Sequence, residues 1–273
     1  MTSKQQNIAL IGCGNMAHAI LSGVTSTGFI SSHQILALSH HKTKDRKFAK
    51  QHKIRFIDDV KTLLQKTSII LLAVKPKSMN DVLTQIKPHL KNHLIMTVAA
   101  GLQVQHYQKH LHSKIKLVRA MPNTPSQINL GVTALYFTKN IPSREKTFVM
   151  NFFANIGSVY ELKSEKLIHT VVATSGSGPA FVFSYIDALL KSAVAHGLDR
   201  NTALEMLVDT LVGSSLYMKQ SGKSADDLIK QVASKGGTTE AGLVTLHKKG
   251  FANTLTQCFN ATRKKSVQMS HSK

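Results

Sequence analysis

The sequence predicts an α/β protein in which an N-terminal doubly wound sheet is followed by an all-α domain. Three observations predict it. Over residues 1–163, strand-length apolar runs alternate with helix-length stretches, the pattern of a parallel sheet with helices on both faces. The first apolar run, Ile8-Ala9-Leu10-Ile11, breaks straight into the glycine turn Gly12-Cys13-Gly14-Asn15-Met16-Ala17. After about Lys163 the strand patterns stop and helical segments alone follow, so the expected division is 1–163 and 164–273.

The strand candidates, in order, are Asn7–Ile11, Ile35–Ser39, Arg55–Ile57, Ser68–Val74, Leu94–Val98 and Lys116–Arg119. Helical stretches such as Thr43–His52 and Ser78–Leu90 lie between them, and Val132–Phe137 and Ser158–Glu161 extend the sheet. In the second half the expected helices are Pro179–His196, Arg200–Gln220, Ala225–Ser234, Thr238–Lys248 and Phe251–Met269. Pro179 suits a first helical turn, and Gly197 and Gly222 suit C-terminal caps. The Pro179 helix is apolar on nearly every side, through Phe181, Val182, Phe183, Tyr185, Ile186, Leu189, Leu190 and Val194. A helix apolar all round must be buried all round. A helical half of this size has difficulty enclosing it, so the helix is expected to be sandwiched within a homodimer.

The glycine turn carries the first functional reading. Gly12 permits a tight turn after the strand. Gly14 lets backbone approach a pyrophosphate at the N-terminus of the next helix, and Ala17 keeps that helix close to the sheet. Ligands of such sheets bind beyond the C-terminal ends of the strands. Three more loops belong to that edge: Lys75-Pro76 after the strand ending at Val74, Ala99-Ala100-Gly101, and Met121-Pro122-Asn123-Thr124-Pro125. The second strand ends in Ser39-His40-His41-Lys42-Thr43-Lys44, without the Asp or Glu that would hold the ribose hydroxyls of NAD. Hydroxyl and basic groups there suit a 2′-phosphate, so NADPH is expected, with NADH as the alternative.

Two glycine-rich segments of the helical half, Ser175 to Ala180 and Ser234-Lys235-Gly236-Gly237-Thr238-Thr239, offer backbone N–H groups and hydroxyls at helix N-termini. Such an arrangement holds a small carboxylate, although N-capping by Ser and Thr would use the same residues.

Taken in order, Ile11 to Ala17, Ala73 to Pro76, Arg119 to Pro125, Ser175 to Ala180 and Gly236 to Thr239 make the chain resemble the pyrroline-5-carboxylate reductases over nearly its whole length. The resemblance implies a Rossmann domain followed by a helical substrate and dimerisation domain. It also implies NAD(P)H-dependent reduction of 1-pyrroline-5-carboxylate to L-proline, and dimers that assemble further into decamers. By position, Gly12, Cys13, Gly14, Asn15 and Met16 would hold the pyrophosphate, and Ser39 would lie at the 2′-phosphate. Ala73, Val74, Lys75, Pro76, Ala99, Ala100 and Asn123 would border the nicotinamide. Ser234, Gly236, Gly237, Thr238 and Thr239 would bind the substrate, with Thr239 at the ring nitrogen as the catalytic residue. The chain departs from the family at Lys235 and Ala225, where prolines are usual, at Gln220, where glutamate is common, and at Asp58, where asparagine is frequent.

Composition narrows the remaining classes. Lys and Arg outnumber Asp and Glu by 35 to 14, but the lysines are scattered and no nucleic-acid-binding signature appears, so a solvated surface bias is expected and no nucleic-acid partner. The longest apolar run, Ile69–Val74, is strand-sized, so no membrane association is expected. Asn7 to Leu10 leads at once into the glycine turn, and no leader is expected. Cys13 and Cys258 show neither a disulfide framework nor metal-ligand spacing, which fits a reducing cytoplasm. His106 and His110, spaced i,i+4, read as a solvated helix face, since Tyr107 stands where a zinc-protease motif needs Glu. No metal is expected. His18 and His169 have no evident partners and read as structural, and the tail around Arg263-Lys264-Lys265 reads as frayed.

Two other functions remain open at this point. A hydroxyacid dehydrogenase of similar build would place a lysine early on the long helix, where this chain has Phe181 to Tyr185 and Lys191 only later. An NADP-binding regulator or pseudoenzyme that retains the fold is supported by Lys235 and Gln220 and opposed by Thr238 and Thr239.

Overall fold

A computed structural model describes residues 7–38 and 42–271, the side chains of 42–45 and 271 excepted. The chain divides into two compact units. The first comprises residues up to Ser177 together with Thr262 onward; the second is Gly178–Ala261.

The first unit is built on β1 (Ile8–Ile11), α1 (Asn15–Ser26), β2 (Ile35–Leu38), α2 (Lys42–His52), β3 (Arg55–Ile57), α3 (Val60–Gln65), β4 (Ile69–Leu72), α4 (Met79–Ile86), β5 (Leu94–Thr97), α5 (Val104–His110), β6 (Lys116–Met121), β7 (Gly131–Phe137), α6 (Ser143–Ala154), β8 (Gly157–Glu161) and α7 (Leu167–Val171). The strand order is β3-β2-β1-β4-β5-β6-β7-β8, so the chain reverses its direction of travel across the sheet between β1 and β4. In such sheets that switch point is where ligands bind. β1, β2, β4 and β5 are buried at every residue because both faces are covered, one by a core cluster containing α1 and α6, the other by a cluster containing α4 and Tyr107.

One expectation fails in the sheet. β7 runs antiparallel to β6, while every other pairing is parallel. The link between them, residues 122–130, holds only the 3₁₀ turn Thr124–Ile128, too little chain for the crossover that a parallel return requires.

The second unit holds α8 (Gly178–Ala195), α9 (Arg200–Ser221), α10 (Ala225–Val232), α11 (Thr238–Lys248) and most of α12 (Phe251–His271). Asp199 caps α9 by accepting from the N–H groups of Asn201 and Thr202, and Gly222 ends it at φ +66°. The basic tail is not frayed. α12 runs through Lys264 and Lys265 to His271, and its Ser266 is buried in the first unit. No described helix is long and apolar enough to cross a membrane.

Candidate active site

The glycine turn is fixed by β4. Gly12 has φ +105°, and a Cβ there would stand 2.6 Å from the carbonyl carbon and oxygen of Ala73 and 2.7 Å from Val74 N. The Ala73 N–H donates to Ile11 O at 2.8 Å, which draws the two strand ends together. Gly14 differs. A Cβ on it would meet nothing within 4 Å, so the space over the turn is open. Gly14 is also the N-cap of α1, and no side chain caps that helix, although the first N–H groups of a helix have no intrahelical acceptor. Asn15 is exposed, and Cys13 and Met16 are half-buried against the core. An open, uncapped helix N-terminus behind two glycines suits a dinucleotide pyrophosphate. Ser39 lies outside the described residues, as do His40 and His41.

The neighbouring loops line the same edge. Lys75 is exposed, in no ion pair among the described residues, and its carbonyl starts the 3₁₀ turn Pro76–Ser78. Ala99 is buried and Ala100 exposed. The N–H of Ala99 donates to Thr97 Oγ1, which shares a 2.8 Å hydrogen bond with Tyr107 Oη. Burial pushes the Tyr107 phenol up to about 12, against the pull of Thr97 and Arg119, so it stays neutral. Just beyond, Glu165 Oε1 accepts from both the N–H of Val104 and Arg119 Nη1, each at 2.6 Å. Asn123 is buried and bonded on both its amide oxygen and its amide nitrogen. Its Nδ2 donates to Ser175 O at 3.0 Å, and its Oδ1 accepts from the N–H of Val132 at 2.8 Å.

The last turns of α12 hold this edge from outside. Gln103 Nε2 donates to Ser270 Oγ at 3.1 Å, and a Cβ on Gly101 would lie 3.7 Å from Met269 O. His169 Nδ1 and Ser266 Oγ are 2.9 Å apart. His18 also has a partner: its Nδ1 is 2.7 Å from His52 Nε2, and burial followed by the nearby His18 holds the His52 imidazole below its ordinary range. Both histidines are therefore structural through contacts that the sequence did not reveal. On α5, His106 Nε2 meets Asn80 Oδ1 at 2.8 Å, and among the described residues no three potential metal ligands cluster.

Of the two glycine-rich segments in the helical half, the first is not an open cradle. Val172–Gly176 is a π-helical turn continuing from α7, and the Ser177 N–H is spent on Val172 O at 2.8 Å. The second is open. Gly236 has φ +74°, and Gly237 is the N-cap of α11 with no side chain capping the helix. The hydroxyls of Ser234, Thr238 and Thr239 make no side-chain hydrogen bond among the described residues, and Thr239 is half-buried where Thr238 is exposed. A Cβ at 237 would come 2.6 Å from Ser234 Oγ, so that exposed hydroxyl would have to turn aside. The Gly236 N–H is already taken by Glu240 Oε2 at 2.7 Å, so the N–H groups left for a ligand are those of the first turn of α11. Lys235 is exposed and in no ion pair among the described residues.

Fold and glycine turn together define a nucleotide-binding oxidoreductase architecture with a separate helical unit. Residues 7–101 match the family described as NADP oxidoreductase, coenzyme F420-dependent, and residues 165–269 match the pyrroline-5-carboxylate reductase dimerisation family. The chain is 31% identical to pyrroline-5-carboxylate reductase 2 of Bacillus subtilis, covering 97% of this chain and 95% of that one. It is 33% identical to the Aquifex aeolicus reductase, covering 96% and 97%. The Coxiella burnetii pyrroline-5-carboxylate reductase superposes with TM-score 0.91 at 28% identity over 98% of this chain and 99% of that one. The Plasmodium falciparum enzyme, solved with NADP bound, superposes with TM-score 0.89 at 28% identity over 98% and 100%. This chain belongs to the pyrroline-5-carboxylate reductase family.

Proposed function

We propose that the chain reduces 1-pyrroline-5-carboxylate to L-proline with NADPH, the last step of proline synthesis. One observation carries the reading: each unit presents a glycine-opened helix N-terminus with no side-chain cap, α1 in the first and α11 in the second. The reaction needs two anion sites, one for a dinucleotide and one for a carboxylate. In this reading Gly12 to Met16 hold the pyrophosphate, Ser39 lies at the 2′-phosphate, and Ala73 to Pro76, Ala99 and Ala100 border the nicotinamide. Asn123 acts there by tying the ends of β6 and β7 to Ser175. Ser234, Gly237 and Thr238 receive the carboxylate, and Gly236 gives the loop its left-handed turn.

NADPH, when bound, supplies the hydride that reduces the C=N carbon. The protein has little acid–base work to do. The iminium already carries its proton on nitrogen, and the Thr239 hydroxyl oxygen accepts a hydrogen bond from that N–H and fixes the ring. Positioning of this kind is worth up to ~7–11 kcal/mol for ideal alignment. The chain acts as a homodimer able to assemble into a decamer, in the cytoplasm, with 1–163 serving the coenzyme and 164–273 the substrate and the dimer.

Purified chain mixed with NADPH and pyrroline-5-carboxylate should consume NADPH, and more slowly with NADH. Binding of NADPH without turnover would leave the regulator or pseudoenzyme reading. Reduction of an oxidised coenzyme by a hydroxy acid, with no imine turnover, would leave the dehydrogenase.

A further inference from the structure

We propose a second ligand site, at the edge of the sheet opposite the glycine turn, that binds a small apolar α-amino acid. Ile69, Leu94 and Lys116 are the first residues of β4, β5 and β6 and share one register row. Beside them opens a cavity of about 420 Å³, closed by Phe29 and Ile30 after α1 and by Arg144, Glu145 and Phe148 on α6. That volume is ligand-sized. The glycine turn lies at the other end of the same strands, roughly 13 Å away by the rise of four residues.

The polar groups of the cavity are incompletely matched. The Lys116 side chain is only 9% exposed and its Nζ donates to Glu145 Oε1 at 2.6 Å. Glu145 Oε2 is buried and has no partner among the described residues. A buried carboxylate oxygen without a donor is a deficit, and an ammonium group repairs it once the part-exposed Glu145 side chain turns that oxygen toward the cavity. Arg144 is exposed and in no ion pair among the described residues, and a guanidinium matches a carboxylate through two parallel hydrogen bonds. Among the charged groups, once Lys116 and Glu145 have paired, one carboxylate oxygen and one cation remain, and Gln34, Ser68 and Asn92 add neutral polar groups to the lining. A simple anion would answer only the cation. A zwitterion answers both, its ammonium on Glu145 and its carboxylate on Arg144. Phe29 and Phe148, with ring centroids 5.7 Å apart, supply an apolar wall for its side chain.

Calorimetry with L-leucine on the full chain, saturated with NADP⁺, tests this. L-leucine should bind. Isoamylamine, which lacks the carboxylate, and 4-methylpentanoate, which lacks the ammonium, should bind at least about tenfold more weakly. Arg144→Ala and Glu145→Gln should each weaken L-leucine by about fivefold or more, while Thr239→Ala, in the other unit, leaves it unchanged. If Glu145→Gln fails to fold, Arg144→Ala decides alone. No L-leucine binding at millimolar concentration, binding indifferent to Arg144→Ala, or binding abolished by Thr239→Ala would each overturn the proposal.

Discussion

In the first unit Leu10, Ile11, Ile70 and Leu71 are all 0% exposed. In the second, α8 buries only Leu190, α9 only Ala203, and α10 and α11 bury nothing. Phe183, Met206, Val212 and Val232 stand 59%, 57%, 54% and 70% exposed in the single chain. Full burial of one such side chain contributes about 1.5–3 kcal/mol. Half a dozen left in water therefore forgo an amount on the order of 10 kcal/mol, comparable to the whole stability of a domain. The sheet encloses its own core. The helices carry a core's worth of apolar residues and enclose almost none of them, which is the chemistry of an obligate interface and agrees with the dimerisation family matched over 165–269. Each unit also holds a glycine-opened helix terminus without a side-chain cap, but the first follows a strand of the buried sheet and the second lies among helices whose apolar residues stand exposed in the single chain.

The sharpest way to break this contrast is Gly12→Val. The side chain would collide with the Ala73–Val74 backbone, so coenzyme affinity should fall more than about 100-fold and the first unit should lose roughly 2–4 kcal/mol, read by nucleotide titration and urea unfolding. Thr239→Ala touches the other unit. It should lower kcat about 100-fold while the NADPH dissociation constant stays as it was; equal losses in both would remove Thr239 from its assigned role. Phe183→Asp should turn dimers into monomers at low micromolar concentration in analytical ultracentrifugation, with the sheet still folded. Removing the Gln103–Ser270 hydrogen bond with Ser270→Ala should raise KM for NADPH about fivefold, roughly 1 kcal/mol, and leave kcat near its original value. The smallest effect belongs to His52. Its pKa is lower folded than unfolded, so the unfolded chain takes up the proton first. Stability from this source is present above about pH 6.5 and declines as pH falls below it. His52→Phe should flatten that acid-side decline in a pH series of thermal melts.

Much of this was legible in the residues. Arg55–Ile57 and Thr238–Lys248 have the bounds their patterns predict, and the glycine turn marks the switch point because only glycine fits beside Ala73. Short helices were harder. Val60–Gln65 is too brief for a 3.6-residue period to stand out. What stayed hidden were contacts between residues remote in sequence. His18 and His52 are 34 residues apart, Arg119 and Glu165 are 46 apart, and His169 and Ser266 are 97 apart. Their polar groups look idle until the sheet brings them together. The basic tail misled for the same reason: Lys264 and Lys265 advertise solvent, while Ser266, Met269 and Ser270 on the same helix meet the loop after β5 and the helix that carries His169.

That last contact bears on how the protein is made. Gln103 and Ser270 are separated by 167 residues, so a ribosome has finished all eight strands long before the clasp over the loop after β5 exists. Until α12 emerges, the loop after β5 of the nascent sheet is untied. The growing chain should therefore acquire its hydrophobic centre early and its grip on nucleotide late, an order of events that long-range contacts impose on vectorial synthesis.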